Sequence, residues 1–360
     1  MDKLARRERN SNIELCRIVC MLMIIAHHCV SHGGAAGMEL CTNKYIAWFI
    51  LPAGKFCFVA FLAISAWFLA DKEFHMERFL KIWGMVFFYS FSFAAVSVLL
   101  GAEFTWRNWF SVLLPVTGNS HGFAASYLAF YLLVPFLNVI AKNITRIQLK
   151  WLAVLLFYFQ VLSQVIGTVS GYYQPISSEL LLFILCYFAA LYLKRYPLSI
   201  TSNSLIMAIV IIIVWMLVFG LYCWNLTSGA DNLLCTLLLS LCRNESSILY
   251  LVGGYAIFFF FNSLRIPTIK IINKVASVTF GILLIHDHNF FRPILWRNIF
   301  RTTDWWYSEY FLLGVFLCTI IIFCAGMIID IIRQKYLEKP LFTIKLVKSC
   351  CEKMNRILNP

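Results

Sequence analysis

Long apolar runs recur along the chain, each closed by a charged or Gly/Pro/Asn cluster, at about the 20 residues an α-helix needs to cross a hydrocarbon core roughly 30 Å thick. This pattern predicts about ten spans, over 13–31, 48–70, 80–100, 125–141, 150–169, 178–194, 204–224, 246–264, 275–295 and 310–332. The fourth is short and holds Pro135; merging it with a neighbour would place the two termini on opposite sides of the membrane. The longest outer segments, 101–125 and 225–245, are too short to bury a core of their own. The expected fold is an all-α integral membrane protein with about ten transmembrane helices and no separate soluble domain.

Composition agrees. With 61% hydrophobic and 13% charged residues, a soluble globule would have too little polar surface to cover itself. Charge then orients the chain. Lys3, Arg6, Arg7, Arg9, Lys72, Arg78, Lys81, Lys142, Arg146, Lys150 and most other basic residues fall on one side, and the other side holds Lys44, Lys55, Arg107, Arg243, Arg292, Arg297 and Arg301. The positive-inside rule puts the richer side, with both termini, in the cytoplasm.

The net charge of +13 is spread over short loops and forms no aromatic-studded stripe, so anionic lipid head groups are the expected partner and nucleic acid is not. None of the thirteen cysteines forms a C-x-x-C pair, and Cys16, Cys20, Cys186, Cys318 and Cys324 fall within apolar runs where a thiol acts as a small hydrophobe; no metal site is expected. Cys41, Cys57, Cys223, Cys235 and Cys242 lie on or near the outer side, where pairing requires an oxidising compartment. The first apolar run keeps Arg17, continues to His28 and lacks a small-x-small cleavage pattern, so it reads as an anchor, not a cleaved leader. Two regions result: a transmembrane domain over 1–334, and a tail over 335–360 in which Leu341, Phe342, Ile344, Leu346 and Val347 alternate with Lys345, Lys348 and Lys353, a basic amphipathic helix suited to the inner leaflet.

Candidate chemistry concentrates in the first span, which carries Glu14, Arg17, His27 and His28, because charge inside a membrane is costly enough to mark function. Ten residues separate Arg17 from His28, so the two end within roughly 20° of each other and about 16 Å apart along the axis, while His27 points elsewhere. A fixed cation near the cytoplasmic end suits an anionic cytosolic donor, and the imidazole above it suits general-base or nucleophilic catalysis. The bland alternative is that Arg17 snorkels to the head groups and His28 hydrogen-bonds a carbonyl at the outer interface. Glu14, three residues before Arg17, reads as its ion-pair partner. A second polar cluster, His286, Asp287 and His288 followed by Arg292 and Arg297, suits either a sugar or lipid phosphate or a helix cap at the interface. His121, beside Gly118 and Gly122, reads as an incidental loop histidine.

Arg17, ten residues and then His28, within RERNSNIELCRIVCMLMIIAHH, resembles the R/K-x10-H signature of the membrane-bound acyltransferase 3 family. CFVAFLAISAWFLADKEF (57–74) resembles that family's second helix, YLAFYLLVPFLN its fourth, SVTFGILLIHDHNFFRPILW (277–296) its ninth, and YLEKPLF the end after its tenth. Two places depart from the family pattern: Ala66-Trp67 stand where Gly-Tyr is common, and SHGFAASYL lacks the usual Trp before the fourth helix. The resemblance implies transfer of an acyl group, usually acetyl from acetyl-CoA, to a hydroxyl of a surface polysaccharide or its lipid-linked precursor across the bacterial cytoplasmic membrane. On that reading His28 and Arg17 are catalytic, Arg17, Arg78 and Lys81 meet the phosphates of the donor, and His286 and Arg292 meet the acceptor. The rival readings are a glycan-lipid transporter and a non-catalytic subunit of a polysaccharide export complex.

Overall fold

A computed structural model describes residues 10–70, 72–114, 116–117, 122–171, 177–228 and 233–359; Lys3, Arg6, Arg7, Arg9, Gly118 and His121 lie outside them. The helices are α1 Ser11–His32, α2 Thr42–Ile50, α3 Pro52–Leu69, α4 Met76–Leu99, α5 Trp106–Leu113, α6 Gly122–Asn143, α7 Arg146–Phe157, α8 Ser163–Ser170, α9 Glu179–Arg195, α10 Ser204–Ser228, α11 Leu233–Ser240, α12 Ile248–Ser263, α13 Lys270–Ala276, α14 Thr279–His286, α15 Phe311–Arg333, α16 Lys339–Leu341 and α17 Lys345–Leu358. The described residues contain no strand, and the protein is an all-α membrane protein.

Polar residues at the expected boundaries set the helix ends. Asn10 accepts from the Asn12 backbone at 3.0 Å to start α1. Thr145 and Gln148 form a capping box that starts α7 immediately after α6 ends, so the segment with Pro135 stays a helix of its own. Ser178 caps α9.

Among the described residues, seven helical stretches are long and apolar enough to cross a membrane: Ser11–His32, Thr42–Leu69, Met76–Leu99, Gly122–Asn143, Arg146–Ser170, Ser204–Asn225 and Phe311–Leu341. The other three expected spans fall on α9 with 17 residues, α12 with 16, and a broken ninth segment. That segment, expected as one helix over 275–295, turns at Ser277–Val278, ends at His286 and resumes only as a π-helical turn over Ile294–Ile299. The polar run from Asp287 to Asn289 leaves the helix, and Pro293 lacks the N–H that an unbroken helix would use. The second span also differs from expectation: it begins at Thr42 and is jointed at Leu51, because Pro52 opens a new helix.

Helix α3 lies at the centre, between α1, α12 and α9, and α1 in turn packs on α15 and α14. Close approach depends on glycine. A Cβ on Gly253 would enter the ring of Phe56, and one on Gly254 would meet Val59 at 2.5 Å, the small-residue contact by which helices associate where lipid removes the hydrophobic drive. On the outside, Ile212, Ile213, Met216 and Leu217 of α10 and Leu312, Phe316 and Ile321 of α15 are exposed, as helices facing hydrocarbon must be.

Hydrogen bonds tie the bundle at both ends. At one, the Asn12 side chain donates to the Leu264 carbonyl, Asn138 donates to the Lys72 carbonyl at 2.6 Å, and Lys194 donates to that of Ala70 at 3.0 Å. At the other, Asn43 donates to the Trp306 carbonyl at 2.7 Å, Lys55 to that of Arg243 at 2.7 Å, and Ser126 to Glu179 at 2.8 Å.

A buried ionic network, not foreseen from sequence, joins α4, α14 and α15. Asp330 is fully buried; it accepts from Tyr89 at 2.8 Å, Arg333 at 2.7 Å and Gln334 at 2.8 Å, and its carboxyl group lies where a side chain on Gly281 would stand. Arg333 also reaches Glu338 at 2.9 Å. Breaking such a pair strands a buried charge, so Asp330→Ala should cost about 3–5 kcal/mol, read as a drop of several degrees in thermal unfolding in detergent. An unchanged transition would mean that water already reaches the network.

Candidate functional site

The site grows from one face of α1. Arg17, Met21, Ile24 and His28 recur at helical spacing, and the last three line a cavity of about 250 Å³. Phe58 and Phe61 of α3, Phe123 of α6, and Phe280 and Leu283 of α14 complete its apolar wall. Lys55, Glu179, Glu245, Asp287, Asn289 and Arg292 supply its polar part, at the end of the bundle where Lys55 meets Arg243 and Ser126 meets Glu179.

Hydrogen-bond partners fix the tautomer of His28. The Nδ1 of His286 lies 2.6 Å from the Ile282 carbonyl, which can only accept, so Nδ1 carries the proton and Nε2 of the neutral ring is an acceptor. The Nδ1 of His28 lies 3.0 Å from that Nε2 and must donate to it. The remaining lone pair, on His28 Nε2, is thereby free for a ligand on a residue that lines the cavity.

His286 is completely buried, and its two ring nitrogens meet the Ile282 carbonyl and His28. His27 also differs from expectation, because it lines the cavity as well as donating from Nδ1 to the Leu51 carbonyl at 2.5 Å. The cavity is wide enough to touch two neighbouring faces of α1, and Gly54 lets α3 close onto the His27 ring.

Asp287, the C-cap of α14, gathers the mouth. Its Oδ1 lies 3.0 Å from Arg292, 3.7 Å from His32 and 3.8 Å from His28, and Arg292 lies 3.3 Å from the His32 ring nitrogen. His28, His32 and Asp287 are close enough to share a cation, and the Arg292 guanidinium stands beside them as that charge. Sequence reasoning missed His32 and did not foresee that Asp287, besides capping the helix, would gather His28, His32 and Arg292. The available signal was the i, i+4 spacing of His28 and His32 on α1, which puts both on one face.

Arg17, Arg78 and Lys81 lie away from the cavity lining. Arg17 donates to Glu14 at 2.6 Å, as the i, i+3 spacing predicts, and the second Glu14 oxygen is buried with no hydrogen-bond partner among the described residues. Arg78 and Lys81 stand at the start of α4, Arg78 5.6 Å from the Tyr131 ring centre and Lys81 2.8 Å from Glu77. Asn138 donates to the Lys72 carbonyl just before them, which assigns them to the end of the bundle opposite His28.

The fold and the cavity define a multi-helix membrane protein with a histidine-lined cavity inside the bundle. A family model described as an acyltransferase domain matches residues 10–331, and the chain belongs to the membrane-bound acyltransferase 3 family. No curated protein and no solved structure matches it.

Gly54 provides a test of the cavity wall. A Cβ there would enter the His27 ring, whereas one on Gly84 of α4 meets nothing within 4 Å. Gly84→Ala should be neutral or stabilising by up to about 1 kcal/mol, and Gly54→Ala destabilising by about 1–3 kcal/mol. Thermal unfolding of both variants in one detergent makes the comparison, and equal shifts would refute the close contact.

Proposed function

We propose that this acyltransferase moves an acetyl or other short acyl group from cytosolic acyl-CoA to a hydroxyl of an envelope or extracellular polysaccharide, or of its lipid-linked precursor. The protein then lies in the cytoplasmic membrane of a bacterium, with both termini inside and the mouth of the cavity outward. The observation that carries the reading is the hydrogen-bond chain from the Ile282 carbonyl through His286 to His28, which leaves Nε2 available on a histidine that lines a cavity of both apolar and polar groups.

In the proposed step, His28 Nε2 takes the proton of the acceptor hydroxyl as its oxygen bonds to the thioester carbonyl carbon. The C–S bond breaks, and the departing thiolate recovers the proton from His28, so no net proton is released. Transient acylation of His28, followed by attack of the hydroxyl on the acyl-imidazole, uses the same atoms. Arg17, about 16 Å below His28 by helical rise, with Arg78 and Lys81 at the same end, meets the phosphates of the donor. Met21, Ile24, Phe61 and Leu283 offer an apolar wall to the short acyl group. Arg292, held by Asp287 and His32, keeps further N–H donors for acceptor oxygens, and Glu179 and Glu245 offer acceptors for sugar hydroxyls.

Mass spectrometry of envelope glycans from cells carrying wild type, a null allele or His28→Ala at matched membrane abundance tests the reading. His28→Ala should lower transfer by about 10²–10⁴-fold and remove the acyl mass increment as the null allele does. Undiminished acylation by folded His28→Ala would sink the assignment of the base. Acylation preserved in the null allele, with glycan mislocalised, would favour a transporter. With purified protein, Arg17→Ala should raise KM for the acyl-CoA donor about tenfold or more while KM for the acceptor holds; equal effects on both would remove Arg17 from the donor site.

A further inference from the structure

Helix α17 has two apolar sectors, and the bundle covers only one. Val347, Cys351, Asn355 and Leu358 recur at i, i+4, i+8 and i+11. Cys351 is buried, Leu358 packs on the main core, and α17 lies against α4. Asn355 accepts from the Met76 backbone at 2.7 Å. Met76 opens α4, whose own N-cap residue, His75, makes no capping bond, so the tail supplies from a distance the partner that an orphan first-turn N–H requires. Asn359 accepts from the Phe74 backbone at 2.9 Å and donates to the Phe74 carbonyl at 2.8 Å.

The second sector is left uncovered by the described residues. Leu346 and Ile357 are 73% and 61% exposed, Cys350 is exposed, and at helical spacing the three fall within about 40° of one another. Lys353, Arg356 and Lys345 occupy the sector beside them, and Glu352 is the only carboxylate on the helix. The apolar stretch beginning at Phe311 ends at Leu341 and α17 starts at Lys345, a gap too short to carry it more than about 15 Å from the membrane surface.

We propose that α17 binds the phosphate head groups of anionic phospholipids, with Leu346, Cys350 and Ile357 entering the acyl boundary and Lys345, Lys353 and Arg356 contacting the phosphates. Through Asn355 and Asn359 the bound helix holds the start of α4, where Arg78 and Lys81 stand; Lys81 also lies 5.0 Å from the Phe342 ring centre, in the segment joining α16 to α17. Lipid binding rests only on Phe311–Leu341 being a span, whereas its effect on donor affinity rests on the proposed roles of Arg78 and Lys81.

The test uses the full chain in vesicles of phosphatidylcholine alone or with a third phosphatidylglycerol, and reads maleimide labelling of Cys350 by peptide mass spectrometry. Anionic vesicles should slow labelling several-fold, high salt should reverse this by screening, and the Lys345→Gln, Lys353→Gln, Arg356→Gln triple variant should label at the same rate in both. The donor KM should fall several-fold in anionic vesicles for wild type and stay constant for the variant. Equal wild-type labelling in both vesicles, or protection retained by the variant, overturns the lipid site. Protection with an unchanged donor KM overturns the coupling and leaves the His28 mechanism untouched.

Discussion

The hydrogen bond between His28 and His286 is the contact on which the site depends. Lipid offers no water to satisfy an imidazole, so each ring nitrogen inside the bundle needs a partner from the chain. The Ile282 carbonyl and the bond between the rings engage three of the four nitrogens on the two rings. The fourth, His28 Nε2, belongs to a residue lining the cavity. One nitrogen of the pair is thus left for a ligand by satisfying the other three.

That contact requires α14 to stop where it does. Had the ninth segment continued as one helix to residue 295, Asp287 and Arg292 would project from successive turns; ending at His286 lets Asp287 cap the helix and the chain fold back until Arg292 reaches both Asp287 and His32. At the other end of α14, Gly281 lies against the Asp330 carboxylate, itself held by Tyr89 and Arg333. The buried ions therefore fix the position of α14 along α15, and with it the height of His286 beside His28. The expense of burying them is consistent with a role in register more than in raw stability.

Much of this was legible in the chain. Apolar runs of bilayer length marked where most of the long helices lie, and the eleven-step from Arg17 to His28 put both on one face of the first. The departures cluster where proline or consecutive polar residues interrupt a run, at Pro52 and between Asp287 and Pro293. There, local pattern and tertiary partners compete, and window-averaged hydropathy does not see the outcome.

By itself the sequence determined the solvent and the all-helical class, because hydrophobicity and helical period act over a few turns of one chain. It also marked Arg17 and His28, since an ionisable residue within an apolar run is conspicuous without any fold. Only the tertiary structure decided that His286 serves His28, that His32, Asp287 and Arg292 form one unit, and that Asp330 is held by Tyr89. These pairs, His28 with His286 or Tyr89 with Asp330, lie more than 200 positions apart. No local rule links residues at that distance; the packing of α1, α4, α14 and α15 brings them together.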